Sequence, residues 1–116
     1  MTEHHWVRVA PCDRIPPRQG RSVSIAGREL AIFNLGPSTE LGAGDTFLAT
    51  DNECPHKGGP LCDGIVSGHA VVCPLHAWKI NLTDGRVERP QGAAEHCVGT
   101  YAVRVDEGVI VVSVPR

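Results

Sequence analysis

Apolar residues recur at every second position over short stretches of this chain and nowhere settle into a helical period. His5–Ala10 (HWVRVA) alternates and predicts a strand. Arg21–Gly27 (RSVSIAG) and Arg28–Gly36 (RELAIFNLG) predict a hairpin that turns at Ala26–Gly27. Asp45–Asn52 (DTFLATDN), His69–Cys73 (HAVVC) and Ala77–Glu88 (AWKINLTDGRVE) predict further strands, the last bent at Thr83-Asp84-Gly85. Val98–Val114 (VGTYAVRVDEGVIVVSV) gives the clearest hairpin, with Asp106-Glu107-Gly108 as its turn. The Pro11–Gly20 connector cannot hold a long helix, because Pro16 and Pro17 each remove a backbone donor. The pattern therefore predicts an all-β domain of about nine or ten short strands.

Composition narrows this picture. A length of 116 residues suits one domain, residues 1–116. Hydrophobic residues at 41% exclude a disordered chain, and aromatics at 4% leave the core to Val, Ile, Leu and Ala. Nine Pro and thirteen Gly account for the shortness of the strands. The net charge is −2 with both signs interspersed and no basic run, which argues against a nucleic-acid partner. No apolar run approaches the ~20 residues of a membrane span. The opening MTEHHWVRVA lacks a basic stretch followed by an apolar one, so a cytoplasmic protein is expected. In that compartment the five Cys are ligands or free thiols rather than disulfides.

The chemistry gathers in Cys54–His76 (CPHKGGPLCDGIVSGHAVVCPLH). Cys54-Pro55-His56 forms one box and Cys73-Pro74-Leu75-His76 a second, each with one thiol and one imidazole. Gly58, Gly59 and Pro60 shape the first loop and Pro74 stiffens the second, turning backbone N–H groups inward toward bound sulfur. Two readings compete. A tetrahedral Cys2His2 zinc site would make a redox-silent binding module. A [2Fe–2S] cluster would place both Cys on one iron and both His on the other. Common zinc modules pair their Cys in one knuckle and their His on a helix, and no helix is predicted. Mixed boxes on β-loops suit two irons, because each loop then donates one ligand to each.

CPHKGG and CPLHAW resemble the two boxes of Rieske proteins. The resemblance implies a β-sandwich-like antiparallel base with a small inserted cluster-binding lobe, at about residues 52–91. It implies Cys54, His56, Cys73 and His76 as ligands of a Rieske [2Fe–2S] cluster, with the His nearer solvent. Within that set the boxes, with ELAIF (Glu29–Phe33) and CVGTYAVRVDEGVIVV (Cys97–Val112), most resemble the small subunit of cytoplasmic NAD(P)H-dependent nitrite reductase. Its large partner carries flavin, siroheme and an iron–sulfur cluster and reduces nitrite to ammonium in nitrate assimilation. The chain would then be an electron-transfer subunit with no substrate-converting site of its own. The alternative of the same chemistry is a Rieske ferredoxin feeding an aromatic-ring-hydroxylating dioxygenase. A structural subunit whose cluster never turns over is a further one.

Two positions depart from the subunit pattern: Cys62 stands where a small polar residue is expected, and Gly99 where a basic one is common. High-potential Rieske proteins carry an extra Cys in each box and two hydroxyls after the second. Here Gly59, Leu75, Trp78 and Ile80 occupy those positions. Fewer hydrogen bonds to sulfur imply a potential at the low end of the Rieske range, roughly −150 mV.

Among the remaining residues, Lys57 is either a docking charge or a solvated Lys, and Trp78 packs on the lobe rather than standing exposed. Arg89–Gly92 (RPQG) is either a third loop over the cluster or an ordinary turn. Cys12, Cys62 and Cys97 are expected as free thiols or core packing. His69 and His96 are expected as solvated loop residues, and Asp45, Asp51 and Glu53 as loop acids without partners.

Overall fold

The structure, a computed structural model, describes residues 4–25, 27–37, 45–53, 60–74, 78–89 and 97–115. Among these residues eleven strands form three antiparallel sheets, which makes the fold all-β, as the alternating pattern predicts. The strands are β1 (His4–Pro11), β2 (Gly20–Ile25), β3 (Arg28–Pro37), β4 (Asp45–Asp51), β5 (Ile65–Ser67), β6 (Ala70–Val72), β7 (Lys79–Asn81), β8 (Val87–Arg89), β9 (Thr100–Tyr101), β10 (Val103–Asp106) and β11 (Val109–Pro115).

The first sheet has the order β1-β11-β10, so the first strand pairs with the last. The second has the order β2-β3-β4-β9. These two sheets form the base. The third, β5-β6-β7-β8, lies wholly between β4 and β9 in the chain and pairs only within itself among the described strands. It forms the lobe.

β3 is the wall between the two. Leu30, Ala31, Ile32, Phe33 and Leu35 are all buried, which explains a run that is apolar at consecutive positions rather than alternating. Leu30 and Ile32 face the base core with Ile15, Phe47, Ile110, Val112 and Val114. Ala31, Phe33 and Leu35 face the lobe core with Leu61, Val66, Val71, Ile80 and Leu82. The pleat thus sends alternate side chains of one strand into two different cores.

Asn34 is fully buried in this strand and satisfied on every side. Its Nδ2 donates to the Ile15 carbonyl at 2.8 Å and to Asp45 Oδ2 at 2.9 Å, and its Oδ1 accepts from the Gly36 N–H at 2.8 Å. A buried amide of this kind is stabilising only when its partners are complete.

The hairpin predicted at 21–36 is present, with Ala26 of its expected turn outside the described residues; the one predicted at 98–114 is present from Val103 onward, and the 83–85 turn is present. Three features differ. β5 has no long apolar run and escapes the pattern, because it is three residues long with a single buried side chain, Val66. The arm expected as one strand over 98–106 is two: β9 pairs with β4, and β10 with β11. Asp45 and Asp51 are not unpartnered loop acids but strand residues, and both carboxylates accept hydrogen bonds. Cross-chain partners of this kind leave no trace in a local sequence pattern. No helix of the described residues is long and apolar enough to cross a membrane.

Candidate metal centre

Of the two Cys/His boxes, Cys73 and Pro74 are among the described residues, and the structure describes the residues that flank both boxes. Cys73 directly follows β6 and is buried, 2% exposed, inside the lobe core. Its backbone N–H donates to the Trp78 carbonyl at 2.8 Å, which closes the short loop from Cys73 to Trp78. His76 lies in that loop but outside the described residues, as do Cys54, His56, Lys57, the three-residue tail of RPQG and His96. Trp78 is half-buried against the lobe core, so it packs rather than standing free.

The roots of the first box are held differently. Asn52, immediately after β4, is buried. Its backbone N–H donates to the Glu29 carbonyl at 3.1 Å, and its side-chain Oδ1 accepts the Cys62 N–H at 2.8 Å. Cys62 belongs to a single 3-10 turn, Leu61–Asp63, anchored by the fully buried Leu61. One hydrogen bond therefore joins the two ends of the segment that carries Cys54 and His56. Sequence reasoning missed Asn52: an Asn after a strand looks like any turn residue.

Asp51 points the other way from its neighbour, as strand alternation requires. Its carboxylate accepts from the Tyr101 hydroxyl at 2.5 Å and from the Gly99 N–H at 3.1 Å, while its own N–H donates to the Gly99 carbonyl at 2.9 Å. The chain's entry into the lobe is thereby tied to its exit. A Cβ at position 99 would lie 2.7 Å from Asp51 Oδ2, so a larger residue there would have to displace this carboxylate. Gly85 is constrained similarly: its φ is +80° and a Cβ there would meet the Val98 carbonyl oxygen at 2.2 Å. Without that side chain, the Val98 N–H donates to the Gly85 carbonyl at 2.9 Å and seals the lobe's far end.

Cys12, Cys62, Cys73 and Cys97 carry free thiols. Burial pushes the Cys62 thiol above its ordinary value, and Asp63 adds to this, against hydrogen bonds from Asn52 and Ser22. Burial likewise raises Cys12, with Asp13 and Asp45 adding. Tyr101 is raised by burial and then by its bond to Asp51. His69 is exposed at the turn after β5, and its carbonyl accepts from the Leu82 N–H at 2.8 Å.

An all-β domain with a small inserted sheet, in a chain whose sequence carries two boxes of one Cys and one His, has the features of a class of iron–sulfur electron carriers. The chain belongs to the Rieske [2Fe–2S] domain family, whose model matches residues 5–105. Its function is Rieske-type electron transfer, and its cofactor is a [2Fe–2S] cluster. Cys73, a buried thiol with no disulfide partner, fits a cluster thiolate.

Among curated proteins the chain is 30% identical over 86 residues to the ferredoxin component of the naphthalene 1,2-dioxygenase/salicylate 5-hydroxylase systems of Ralstonia sp., covering 74% of each. It is 29% identical over 121 residues to the 4β-methylsterol monooxygenase of Methylococcus capsulatus, using 95% of this chain but spanning only 30% of that protein. Among solved structures it resembles a Mycobacterium tuberculosis protein assigned as an NADH-dependent nitrite reductase small subunit. The TM-score is 0.79 at 24% identity, covering 97% of this chain and 96% of that one, and this likeness concerns the fold.

Proposed function

We propose that Cys54 and Cys73 bind one iron of the cluster and His56 and His76 the other. Bound in this way, the cluster accepts and passes on one electron at a time. The chain's own residues hold and insulate it: Leu61, Val71 and Ile80 surround Cys73 with apolar side chains, and the two loop closures hold the roots of both boxes. The whole chain is one domain, with residues 52–91 as the cluster lobe, and works in the cytoplasm.

We further propose that the chain is the small subunit of an NAD(P)H-dependent nitrite reductase, passing electrons within a complex whose large subunit carries flavin and siroheme. The observation that carries this reading is the sequence of the boxes, CPHKGGPL with its Lys57 and CPLHAWKINLTDGRV, together with the flanking ELAIF and CVGTYAVRVDEGVIVV. The missing extra Cys and the missing hydroxyls at positions 78 and 80 set the potential low. Ile80 is fully buried and offers no donor to a cluster sulfur. A low potential follows, suited to electrons that begin on a nicotinamide. A second reading, a ferredoxin serving a ring-hydroxylating dioxygenase, is favoured by the 30% identity to the Ralstonia ferredoxin component.

Affinity capture of the tagged chain from its own cells, grown on nitrate as sole nitrogen source, separates the two. A flavin- and siroheme-containing partner supports the nitrite reductase reading. Recovery of a non-haem iron oxygenase instead overturns it in favour of the ferredoxin. A midpoint potential well above 0 mV would count against both low-potential readings.

A further inference from the structure

We propose that Asn52 is a positioning residue for the cluster, acting as the clasp of the loop that presents Cys54 and His56. The inference rests on the ligand assignment above. Among the described residues three polar side chains are buried: Asn34, Thr50 and Asn52. Asn34 works inside the base. The Thr50 hydroxyl donates to the neighbouring Asp51 carbonyl at 2.9 Å. Asn52 alone of the three makes its side-chain bond across the first ligand box, to the Cys62 N–H at 2.8 Å.

Three further bonds make this clasp rigid. The Asn52 N–H is fixed on the Glu29 carbonyl of β3, so the amide hangs from the wall between the two cores. Cys62 is fixed by its own turn, in which the Asp63 N–H donates to the Pro60 carbonyl at 3.1 Å and the Gly64 N–H to the Leu61 carbonyl at 2.9 Å. Leu61 is sealed in the lobe core. Both ends of the ligand segment are thus set before any metal arrives. A segment whose ends are already together loses less entropy when its ligands close on iron. Cutting the clasp also leaves the Cys62 N–H without its partner beside the loop.

The test is the lifetime of the cluster. Wild-type holoprotein and its variants are mixed with an excess of an iron chelator, well below their melting temperatures, and the visible absorbance is followed. Asn52→Ala is expected to lose its cluster about tenfold faster than wild type, the scale of one lost buried hydrogen bond. Its midpoint potential is expected to fall, because a looser loop aims fewer backbone N–H groups at sulfur. Asn52→Ser, too short to reach the Cys62 N–H, serves if the Ala variant does not fold.

Asn34→Ala is the control. It deletes more hydrogen bonds, but in the base, and is expected to lower folding stability while leaving cluster lifetime and potential near wild type. If Asn34→Ala and Asn52→Ala shorten the lifetime equally, or if Asn52→Ala leaves it unchanged, Asn52 is structural and the assignment falls. Wild-type protein that holds no iron or labile sulfide overturns the ligand reading itself, a separate failure visible before any variant is made.

Discussion

The base and the lobe solve the same folding problem with different means. Base strands run to ten residues, pair over long registers and bury an aliphatic core of Leu30, Ile32, Ile110, Val112 and Val114. Lobe strands are three residues each, and their core includes a thiol, Cys73. Ladders that short contribute little by themselves. The lobe depends on hydrogen bonds at its roots, at Asn52, Asp51, Cys73 and Gly85. A binding site that must place four side chains needs defined loops more than long strands. The base supplies the rigid wall from which those loops hang.

The largest effect should come from the metal. On the ligand set proposed above, Cys73→Ser removes one of the two sulfur ligands, and purified protein is expected to lack essentially all iron and labile sulfide. If the base is self-sufficient, the variant keeps its β-sheet circular dichroism and the damage stays in the lobe. Global unfolding of the variant would break the comparison, making the cluster the foundation of the entire chain. Next comes Phe33→Ala, on the face of β3 that serves the lobe core. It is expected to cost about 3–5 kcal/mol in denaturant unfolding. It should also shorten cluster lifetime, which Ile32→Ala, one position along and on the base face, should not. Equal effects of the two on the cluster would show that the faces of β3 are not independent.

The same contrast decides what was legible beforehand. The base strands announce themselves, because alternation such as Val7-Arg8-Val9 reports a half-buried strand. The family was legible for another reason: two short boxes of one Cys and one His each have few uses besides binding metal. What joins them was not. β5 is too short to set up a period, and β9 takes only Thr100 and Tyr101 before the chain changes sheets. Asp51 meets Tyr101, and Asn52 meets Cys62, through the fold rather than through spacing. Polar residues that act across the chain look like ordinary turn residues until the structure brings their partners to them.

Tyr101→Phe sharpens the comparison at the junction of base and lobe. It removes one charge-assisted hydrogen bond to Asp51 while keeping the ring, and is expected to cost about 1–2 kcal/mol. The pH dependence carries a sign. Burial and Asp51 raise the folded pKa of Tyr101 above its ordinary 10.0, so its contribution is complete below that value and is lost as pH climbs toward the folded pKa. Wild type should therefore lose stability above about pH 10, and the Phe variant should lose less over the same interval. The raised Cys62 thiol adds a similar decline starting above 9.0, which Tyr101→Phe leaves in place and Cys62→Ser removes. A Phe variant with an unchanged alkaline slope would mean that the junction does not feel this tyrosine.

The smallest predicted effect is a gain, and it lies in the base alone. The β10–β11 hairpin turns through Glu107 and Gly108 with φ of +52° and +77°, so both central residues are left-handed. A two-residue turn of this hand prefers Asn-Gly, because Asn tolerates positive φ better than Glu does. Glu107→Asn also removes a second acid from beside Asp106. It is expected to stabilise the protein by about 0.5 kcal/mol, or roughly 2–4 °C in melting temperature. The turn lies in the first sheet, away from the lobe's roots in the chain, so the chelation rate of the cluster at room temperature should not change. If melting rises while cluster lifetime stays constant, base and lobe open separately and the clasps alone govern the cluster. If lifetime lengthens as well, iron escapes only through global unfolding, and β3 joins the two cores into one cooperative unit.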